Sequence, residues 1–287
     1  YMARELNRAA DGKSLMIAKI ERYEAIGNLE EILKSSDGIM VARGDLAVEV
    51  GDAAVPALQK RMIRMAKSLN KVAITATQMM ESMIEAPVPT RAEISDVANA
   101  VLDGTDAVML SAETATGKYP VETVTAMAAA CAEADRADHS HTLDAAFLDR
   151  TFTRIDQSIA MAALFAAHHM RASAIVSLTQ SGSTALWVTR IDSGIPVYAL
   201  TPEESSRRRM TLFRECHPVA MQYRSYDMPA VLADVERLML TSTRKSRACV
   251  VAAARWSMPL RALRSRTATS WSSLWANRSA SPAAPTT

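Results

Sequence analysis

Short apolar runs alternate with amphipathic helical patterns through the first 140 residues of the chain. Each run is continuous rather than alternating, which is typical of parallel strands buried on both faces. The four runs occupy residues 15–18, 38–42, 72–75 and 107–110. Strand–helix repetition of this kind predicts a parallel α/β sheet, either open or closed into a barrel. Four units are half of an eightfold barrel, so we expect a partial (β/α)8 TIM barrel.

The helices between these runs carry boundary signals. Segment 55–69 places its apolar residues on one stripe, as a helix packed on a sheet requires. Thr90 and Glu93 form a T-x-x-E capping box after the proline-rich breaker 87–89. Pro120 suits the first turn of a helix that runs to about residue 136. These signals predict helices that begin and end between the predicted strands.

A second α/β region follows a polar connector over residues 137–153. Helices are predicted over 155–170 and 228–240, and strands over 174–178, 196–200 and 219–222. This pattern predicts a smaller, mostly parallel sheet. We therefore expect a barrel half over 1–139, a second α/β domain over 140–245 and an anomalous tail over 246–287.

The tail has an unusual composition. From Ser246 onwards the chain has no Asp, Glu or Lys, but six Arg, eight Ser and three of its four Trp. One interpretation is a disordered basic tail, and the other is a shifted reading frame. We favour the second, because three Trp residues are unusual for natural disorder. At the other end, Tyr1 stands inside a helical pattern, so we expect that an N-terminal part is missing.

Composition narrows the range of partners and compartments. The 287 residues carry a formal net charge of +2, which gives no reason to expect nucleic acid or an anionic membrane as a partner. No run of 18 apolar residues predicts a membrane span, and no signal peptide opens the chain. The three cysteines are isolated and lack metal-ligand spacing, so a reduced, cytoplasmic protein is expected.

Polar residues follow each of the four apolar runs directly. The endings are Ala18-Lys19-Ile20-Glu21, Ala42-Arg43-Gly44-Asp45, Ala76-Thr77-Gln78 and Ser111-Ala112-Glu113. Residues two apart share one face of an extended chain, so Lys19 lies beside Glu21 and Ser111 beside Glu113. Apolar strands with charged carboxyl ends are typical of the active face of a barrel.

The residue types at these ends suggest metal-assisted chemistry. Glu21 and Asp45 can hold a hard divalent cation, because Mg²⁺ prefers oxygen ligands. A lysine beside such a metal, here Lys19, stabilises a developing enolate or a transferring phosphoryl group. Gly44 allows close approach of the backbone to an anion. The alternative is that these are ordinary solvated loop charges.

Three segments carry a resemblance to a known family. They are IAKIERYEAIGNLEEIL, SDGIMVARGDLAVEVG and ITATQMMESMIEAPVPTRAEISDVANAVLDGTDAVMLSAETATGKYPVE. In order and spacing they resemble the pyruvate kinases, and the similarity extends from Ala3 to about Lys245. It implies phosphoryl transfer from phosphoenolpyruvate to ADP, the last step of glycolysis. It also implies a homotetramer, with Arg91 near a subunit contact.

The resemblance implies a role for each matching residue. Lys19 corresponds to the lysine that stabilises the transferring phosphoryl group and the enolate, and Glu21 and Asp45 to the ligands of Mg²⁺ or Mn²⁺. The backbone of Gly44 and Asp45 and the hydroxyl of Thr77 correspond to the groups that hold the substrate carboxylate. The remaining residues of the expected catalytic set support the site, and they are Arg43, Ser111 and Glu113.

The first four barrel strands of the family have no counterpart in this sequence. The family's K⁺ site, an arginine for the substrate phosphate and most of the ADP site lie there, so we expect this chain by itself to be inactive or nearly so. Two alternatives stay open. One is a non-catalytic fragment that retains effector or subunit-contact functions, and the other is a magnesium-dependent lyase acting on pyruvate or phosphoenolpyruvate.

The second domain contains one motif with functional meaning, Ser177-Leu178-Thr179-Gln180-Ser181-Gly182-Ser183-Thr184. Hydroxyls, glycine and backbone N–H groups together make an anion-binding cradle. The loop resembles the part of the family's allosteric site that binds the phosphate of a sugar-phosphate or nucleotide effector. The expected effector residues are Thr179, Ser181, Gly182, Ser183 and Thr184. A well-capped helix without a ligand is the alternative, and the anomalous tail puts effector binding in doubt.

Overall fold

The computed structural model describes residues 2–9, 12, 14–137, 152, 154–191, 193–222, 228–242, 248–253 and 261–264. Most of the predicted connector 137–153 and residues 265–287 of the predicted tail lie outside these ranges. Within them, no helix combines the length and apolar character needed to cross a membrane.

The first half of the chain forms a parallel sheet of four strands in the order β1-β2-β3-β4. The strands are β1 (Ile17–Ile20), β2 (Gly38–Ala42), β3 (Val72–Ala76) and β4 (Ala107–Met109). Helices α1 (Met2–Ala9), α2 (Tyr23–Gly27), α3 (Leu29–Ser35), α4 (Arg43–Val50), α5 (Val55–Ser68), α6 (Arg91–Leu102), α7 (Ala112–Ala115) and α8 (Pro120–Ala137) surround them. This arrangement confirms the predicted half of a TIM barrel.

Helix α5 covers the outer face of β2 and β3, as its apolar stripe predicts. Met62, Ile63 and Ala66 are buried against Ile39 and Val41 of the sheet. Burying side chains of this size contributes about 1.5–3 kcal/mol each. The parallel register pairs residue 42 with 76 and residue 76 with 109, so the carboxyl ends of β2, β3 and β4 lie side by side.

The predicted capping box at the start of α6 is present. Glu93 N donates to Thr90 Oγ1 at 3.2 Å, and Thr90 N donates to Glu93 Oε2 at 2.7 Å. The other carboxylate oxygen, Glu93 Oε1, accepts from Ser82 N at 2.7 Å. The box therefore also anchors the 3₁₀ turn Glu81–Ile84 that follows β3.

The second sheet has the strand order β7-β6-β5-β8-β9, in which only β9 is antiparallel to its neighbour. Its strands are β5 (Ala174–Leu178), β6 (Val197–Thr201), β7 (Cys216–Ala220), β8 (Ala248–Ala253) and β9 (Arg261–Arg264). The helices are α9 (Ile155–His169), α10 (Ser183–Thr189), α11 (Glu204–Met210) and α12 (Met228–Ser242).

Two strands of this sheet correct the predictions. β7 covers 216–220 and not 219–222, because an edge strand tolerates Pro218, which the sequence pattern treats as a strand breaker. β8 and β9 lie inside the segment expected to be disordered or out of frame. For these residues the expectation of disorder is wrong, since β8 pairs in parallel with β5 from Ala174 to Leu178.

A buried ion pair joins the two sheets. Asp106, directly before β4, accepts from Arg190 Nη1 at 2.9 Å and also contacts Arg190 Nη2, and both side chains are almost fully buried. The same carboxylate accepts from Ala73 N at 2.9 Å and from Arg214 N at 3.2 Å. Four hydrogen bonds thus compensate for the burial of one carboxylate.

Candidate active site

The Lys19 ammonium lies between two carboxylates at the carboxyl end of β1. Its Nζ donates to Asp45 Oδ2 at 3.1 Å and forms an ion pair with Glu21 Oε2. Contact with Glu21, followed by contact with Asp45, raises the pKa of Lys19 above its ordinary value. The ammonium therefore stays charged at neutral pH, as a group that neutralises developing negative charge must be.

Gly44 and Thr77 meet between the ends of β2 and β3. Gly44 N donates to Thr77 Oγ1 at 2.9 Å, and the Thr77 hydroxyl donates to Ala76 O at 2.6 Å. Thr77 and Gln78 have φ angles of +68° and +55°, a conformation that non-glycine residues rarely adopt. Strain of this kind is concentrated at functional sites. The left-handed conformation of Thr77 places its hydroxyl beside the backbone N–H of Gly44, at the end of the neighbouring strand β2.

Arg43 holds the strained segment in place. Its guanidinium donates to Thr77 O at 2.8 Å and Gln78 O at 3.1 Å, and its Nη1 donates to Asp96 Oδ1 at 2.8 Å. The side chain is buried, and its guanidinium N–H groups are used for these hydrogen bonds. Arg43 is therefore a positioning residue for Thr77.

Glu113 links the ends of β3 and β4. The carboxylate is only 3% exposed and accepts from Met80 N at 3.3 Å and Ser111 N at 2.8 Å. Ser111 itself is exposed and precedes α7. Both residues lie at the predicted active face, one strand further from Lys19 than Thr77 is.

The carboxylates suit a hard divalent cation. Glu21 Oε2 is buried and forms an ion pair with Lys19. Asp45 lies on the other side of the same ammonium and is exposed. No group of three or more His, Cys, Asp or Glu in the described ranges is placed to hold a metal ion. Two protein carboxylates, completed by substrate oxygens and water, match the way Mg²⁺ binds in phosphoryl-transfer sites.

The predicted effector loop follows β5 in the other sheet. Gly182 N donates to Thr179 Oγ1 at 2.9 Å, and Ser183 N donates to Ser181 Oγ at 3.4 Å. Gly182 has a φ of +82°, so the tight turn before α10 favours glycine. Thr184 is buried, whereas Ser181 is exposed and Ser183 half-buried, so the loop has hydroxyls on its outer surface.

The structure groups Lys19, Glu21, Gly44, Asp45 and Thr77 at adjoining strand ends, with Arg43 behind them. Ser111 and Glu113 occupy the next strand end, and the effector residues stand apart in the second sheet. The sequence gives no sign of Asp96 or of the Asp106–Arg190 pair, because their partners are 53 and 84 positions away along the chain.

The fold and the site together define a class: a (β/α)-barrel protein with a lysine–carboxylate cluster at its strand ends. Family models agree with this description. The model for the pyruvate kinase barrel domain matches residues 1–124, and that for the pyruvate kinase alpha/beta domain matches residues 157–262. The chain belongs to the pyruvate kinase family.

Individual relatives point the same way. The chain is 49% identical over 247 residues to a pyruvate kinase of Buchnera aphidicola, covering 85% of this chain and 50% of that protein. It is 50% identical over 221 residues to pyruvate kinase II of Salmonella typhimurium, covering 76% of this chain and 46% of that protein. A pyruvate kinase structure from Cryptosporidium parvum superimposes with a TM-score of 0.83 at 29% identity, covering 92% of this chain and 55% of that one. The chain thus spans about half the length of the curated relatives it matches.

Proposed function

We propose that this chain supplies the lysine–carboxylate half of a pyruvate kinase active site, which transfers a phosphoryl group from phosphoenolpyruvate to ADP. The observation that carries the proposal is the Lys19 ammonium held between Glu21 and Asp45 at the active face of the barrel half. In this reaction the P–O bond of phosphoenolpyruvate breaks, an ADP oxygen bonds to phosphorus, and the enolate takes a proton to become pyruvate.

Lys19 neutralises charge on the transferring phosphoryl group and on the enolate oxygen. Phosphoryl transfer depends chiefly on positioning and charge stabilisation, so a fixed ammonium beside the reacting atoms is an effective contribution. The raised pKa of Lys19 keeps it cationic throughout the neutral range.

The substrate carboxylate is bound at the meeting point of β2 and β3. There it takes hydrogen bonds from the backbone of Gly44 and Asp45 and from the Thr77 hydroxyl, replacing the bond between Gly44 N and Thr77 Oγ1. Arg43 and Glu113 hold the strand ends at the spacing that this requires, and Ser111 lies at the rim. The backbone that carries these groups is held in place before substrate binds, so binding requires only the exchange of hydrogen bonds at Gly44 N and the Thr77 hydroxyl.

Glu21 and Asp45 would hold Mg²⁺ or Mn²⁺. When bound, the cation polarises phosphoenolpyruvate oxygens and offsets the charge that develops on them. The K⁺ that the family resemblance implies would be held by residues outside this sequence.

The same resemblance supports the wider setting of the proposal. The loop Thr179–Thr184 binds a sugar-phosphate or nucleotide effector, the assembly is a homotetramer, and the protein works in the cytoplasm. The chain by itself has little or no activity, because the first barrel strands contribute to the same site.

A chimaera tests the catalytic proposal. The chain is joined to the preceding half of the Haemophilus influenzae pyruvate kinase, to which it is 49% identical over 221 residues. Pyruvate formation from phosphoenolpyruvate is followed by a coupled lactate dehydrogenase assay, with and without ADP. We expect ADP-dependent turnover. Turnover that needs no ADP would indicate a lyase, and a folded chimaera without turnover would indicate a non-catalytic chain.

A further inference from the structure

The segments that follow β3 and β4 are docked on one another at the active face of the barrel half. Lys118 N donates to Ile84 O at 2.9 Å, and Lys118 Nζ forms an exposed ion pair with Glu85. Deeper in the structure, the Glu113 carboxylate accepts from Met80 N at 3.3 Å. Contacts at the surface and in the interior therefore join the residues after β3 to those after β4.

Gly117 lies where the backbones of these two segments meet. A Cβ placed on Gly117 would overlap Glu113 O and would lie 3.3 Å from Ile84 Cα. Both atoms belong to the backbone, so no side-chain rotation makes room for a larger residue. The φ angle of Gly117 lies outside the left-handed region, so the end of α7 does not itself require glycine. The lack of a side chain is used here for close approach of two backbones.

This contact determines where the Glu113 carboxylate lies. Glu113 is only 3% exposed, and its hydrogen bond from Met80 N is already long for an N–H···O bond. A side chain at position 117 would push Glu113 and the turn at Ile84 apart. The carboxylate would then separate from Met80 N, and the end of β4 would move away from the end of β3.

The groups proposed to bind the substrate carboxylate are held by other contacts. Gly44 N donates to Thr77 Oγ1, and Arg43 donates to Thr77 O at 2.8 Å. None of these bonds involves the segment after β4. A change at Gly117 should therefore displace Ser111 and Glu113 while Gly44 and Thr77 stay in place.

We propose that Gly117 is a positioning residue for Glu113, and that it sets the distance between the ends of β3 and β4 at the active site. The inference rests on the proposed function, because it assigns Gly117 a part in the same phosphoryl transfer. It adds a residue that touches neither substrate nor metal and acts through the Glu113 backbone.

Hydrogen exchange of the full chain, followed by NMR, tests the contact without reference to activity. In the unaltered chain the amides of Met80 and Lys118 should have protection factors within about threefold of each other, because the two segments open together. G117A should lower both about fivefold or more, the equivalent of one lost hydrogen bond. G27A is the matched control, because Gly27 is exposed and an added Cβ would meet nothing within 4 Å. It should leave both unchanged.

Kinetics of the chimaera test the role in the reaction. G117A should lower kcat about tenfold or more and change KM for phosphoenolpyruvate less than about threefold, because it displaces Glu113 and not the groups that bind the substrate. G27A should leave both constants unchanged. If Gly117 acts through Glu113, the double variant G117A/E113Q should be slower than E113Q by less than about twofold. Circular dichroism checks that each variant is folded.

The outcomes separate this inference from the proposal beneath it. Unrelated protection factors for Met80 and Lys118 in the unaltered chain would refute the coupling, even if G117A does not fold. Exchange in G117A that matches G27A would refute it as well. If the effects of G117A and E113Q on kcat multiply in the double variant, Gly117 does not act through Glu113, and the inference fails while the proposed function stands. A folded, unaltered chimaera without turnover would refute the proposed function and with it the part of Gly117 in the reaction.

Discussion

The ion pair between Asp106 and Arg190 should be the strongest single polar link between the two sheets. Replacing Arg190 with Met keeps most of the side-chain volume but leaves the Asp106 carboxylate buried without its cation. Asp106 would retain hydrogen bonds from Ala73 N and Arg214 N, whereas Lys71 O would lose its bond from Arg190 Nη1.

The expected magnitude follows from that partial compensation. Removing one partner of a buried pair costs about 3–5 kcal/mol, and the two remaining backbone donors place R190M near the lower end. For a chain of this size, 1 kcal/mol shifts Tm by roughly 2–4 °C, so we expect a decrease of about 6–12 °C. The double variant with D106N should cost at least about 1 kcal/mol less than the sum of the single variants, because the two residues are in contact.

Thermal and urea unfolding followed by circular dichroism measure these changes. R208M is the matched control, because Arg208 pairs with Glu204 on the surface with a side chain 78% exposed, and it should cost at most about 1 kcal/mol. If R190M and R208M destabilise the chain equally, the buried pair contributes no more stability than a surface pair, and its role in joining the two sheets is refuted.

Three further predictions concern single residues. E21Q should weaken Mn²⁺ binding, measured by electron paramagnetic resonance, about tenfold or more, whereas E24Q, on an exposed carboxylate paired with Arg22, should leave it unchanged; equal affinities would exclude Glu21 as a ligand. R43M should destabilise the chain by about 3 kcal/mol in thermal unfolding, and R43K should not restore stability, because lysine lacks the donor fork that reaches Thr77 O; full rescue by lysine would contradict this. Burial raises the pKa of Cys216 to about 12, so iodoacetamide at about pH 8 should modify it, by peptide mass mapping, only after unfolding, and rapid labelling of the folded chain would contradict the burial.

The pKa of Cys216 also fixes the sign of a stability change with pH. The folded thiol holds its proton above the ordinary range of the unfolded thiol, near 8.5–9, and up to about 12. Between these values the unfolded state binds fewer protons than the folded state, so stability falls as pH rises. Below this window the thiol has no effect on the pH dependence.

The barrel half can be predicted well from the sequence, because the residues that signal its strands and helices lie close together along the chain. Continuous apolar runs mark β2 and β3, and the residues of the capping box are only three positions apart. Lys19 lies within β1, one residue before its end, because the strand extends two residues beyond the apolar run predicted for it. β1 begins two residues later than predicted, because Leu15 is partly exposed and remains outside the sheet.

What the sequence does not reveal depends on contacts between distant segments. The role of Arg43 depends on carbonyls 34 and 35 positions away, so a strand-end arginine gives no sign that it is buried. The strand Ala248–Ala253 lies in a segment whose composition suggests no native structure. Its short apolar run nevertheless pairs with β5. The amino-acid composition averaged over the 42-residue tail therefore does not reveal a strand of only six residues.

The catalytic role of Lys19 is tested by the rate of phosphoryl transfer from phosphoenolpyruvate to ADP by the chimaera with and without this lysine. Phosphorus NMR follows phosphoenolpyruvate loss and ATP gain together. We expect K19M to lower kcat by about a thousandfold or more, because it removes a charge aimed at the transition state. K34M, which removes a surface lysine paired with Glu30, should leave kcat unchanged. If K19M transfers the phosphoryl group as fast as K34M, the strand-end cluster is not the catalytic site and the proposed function is wrong.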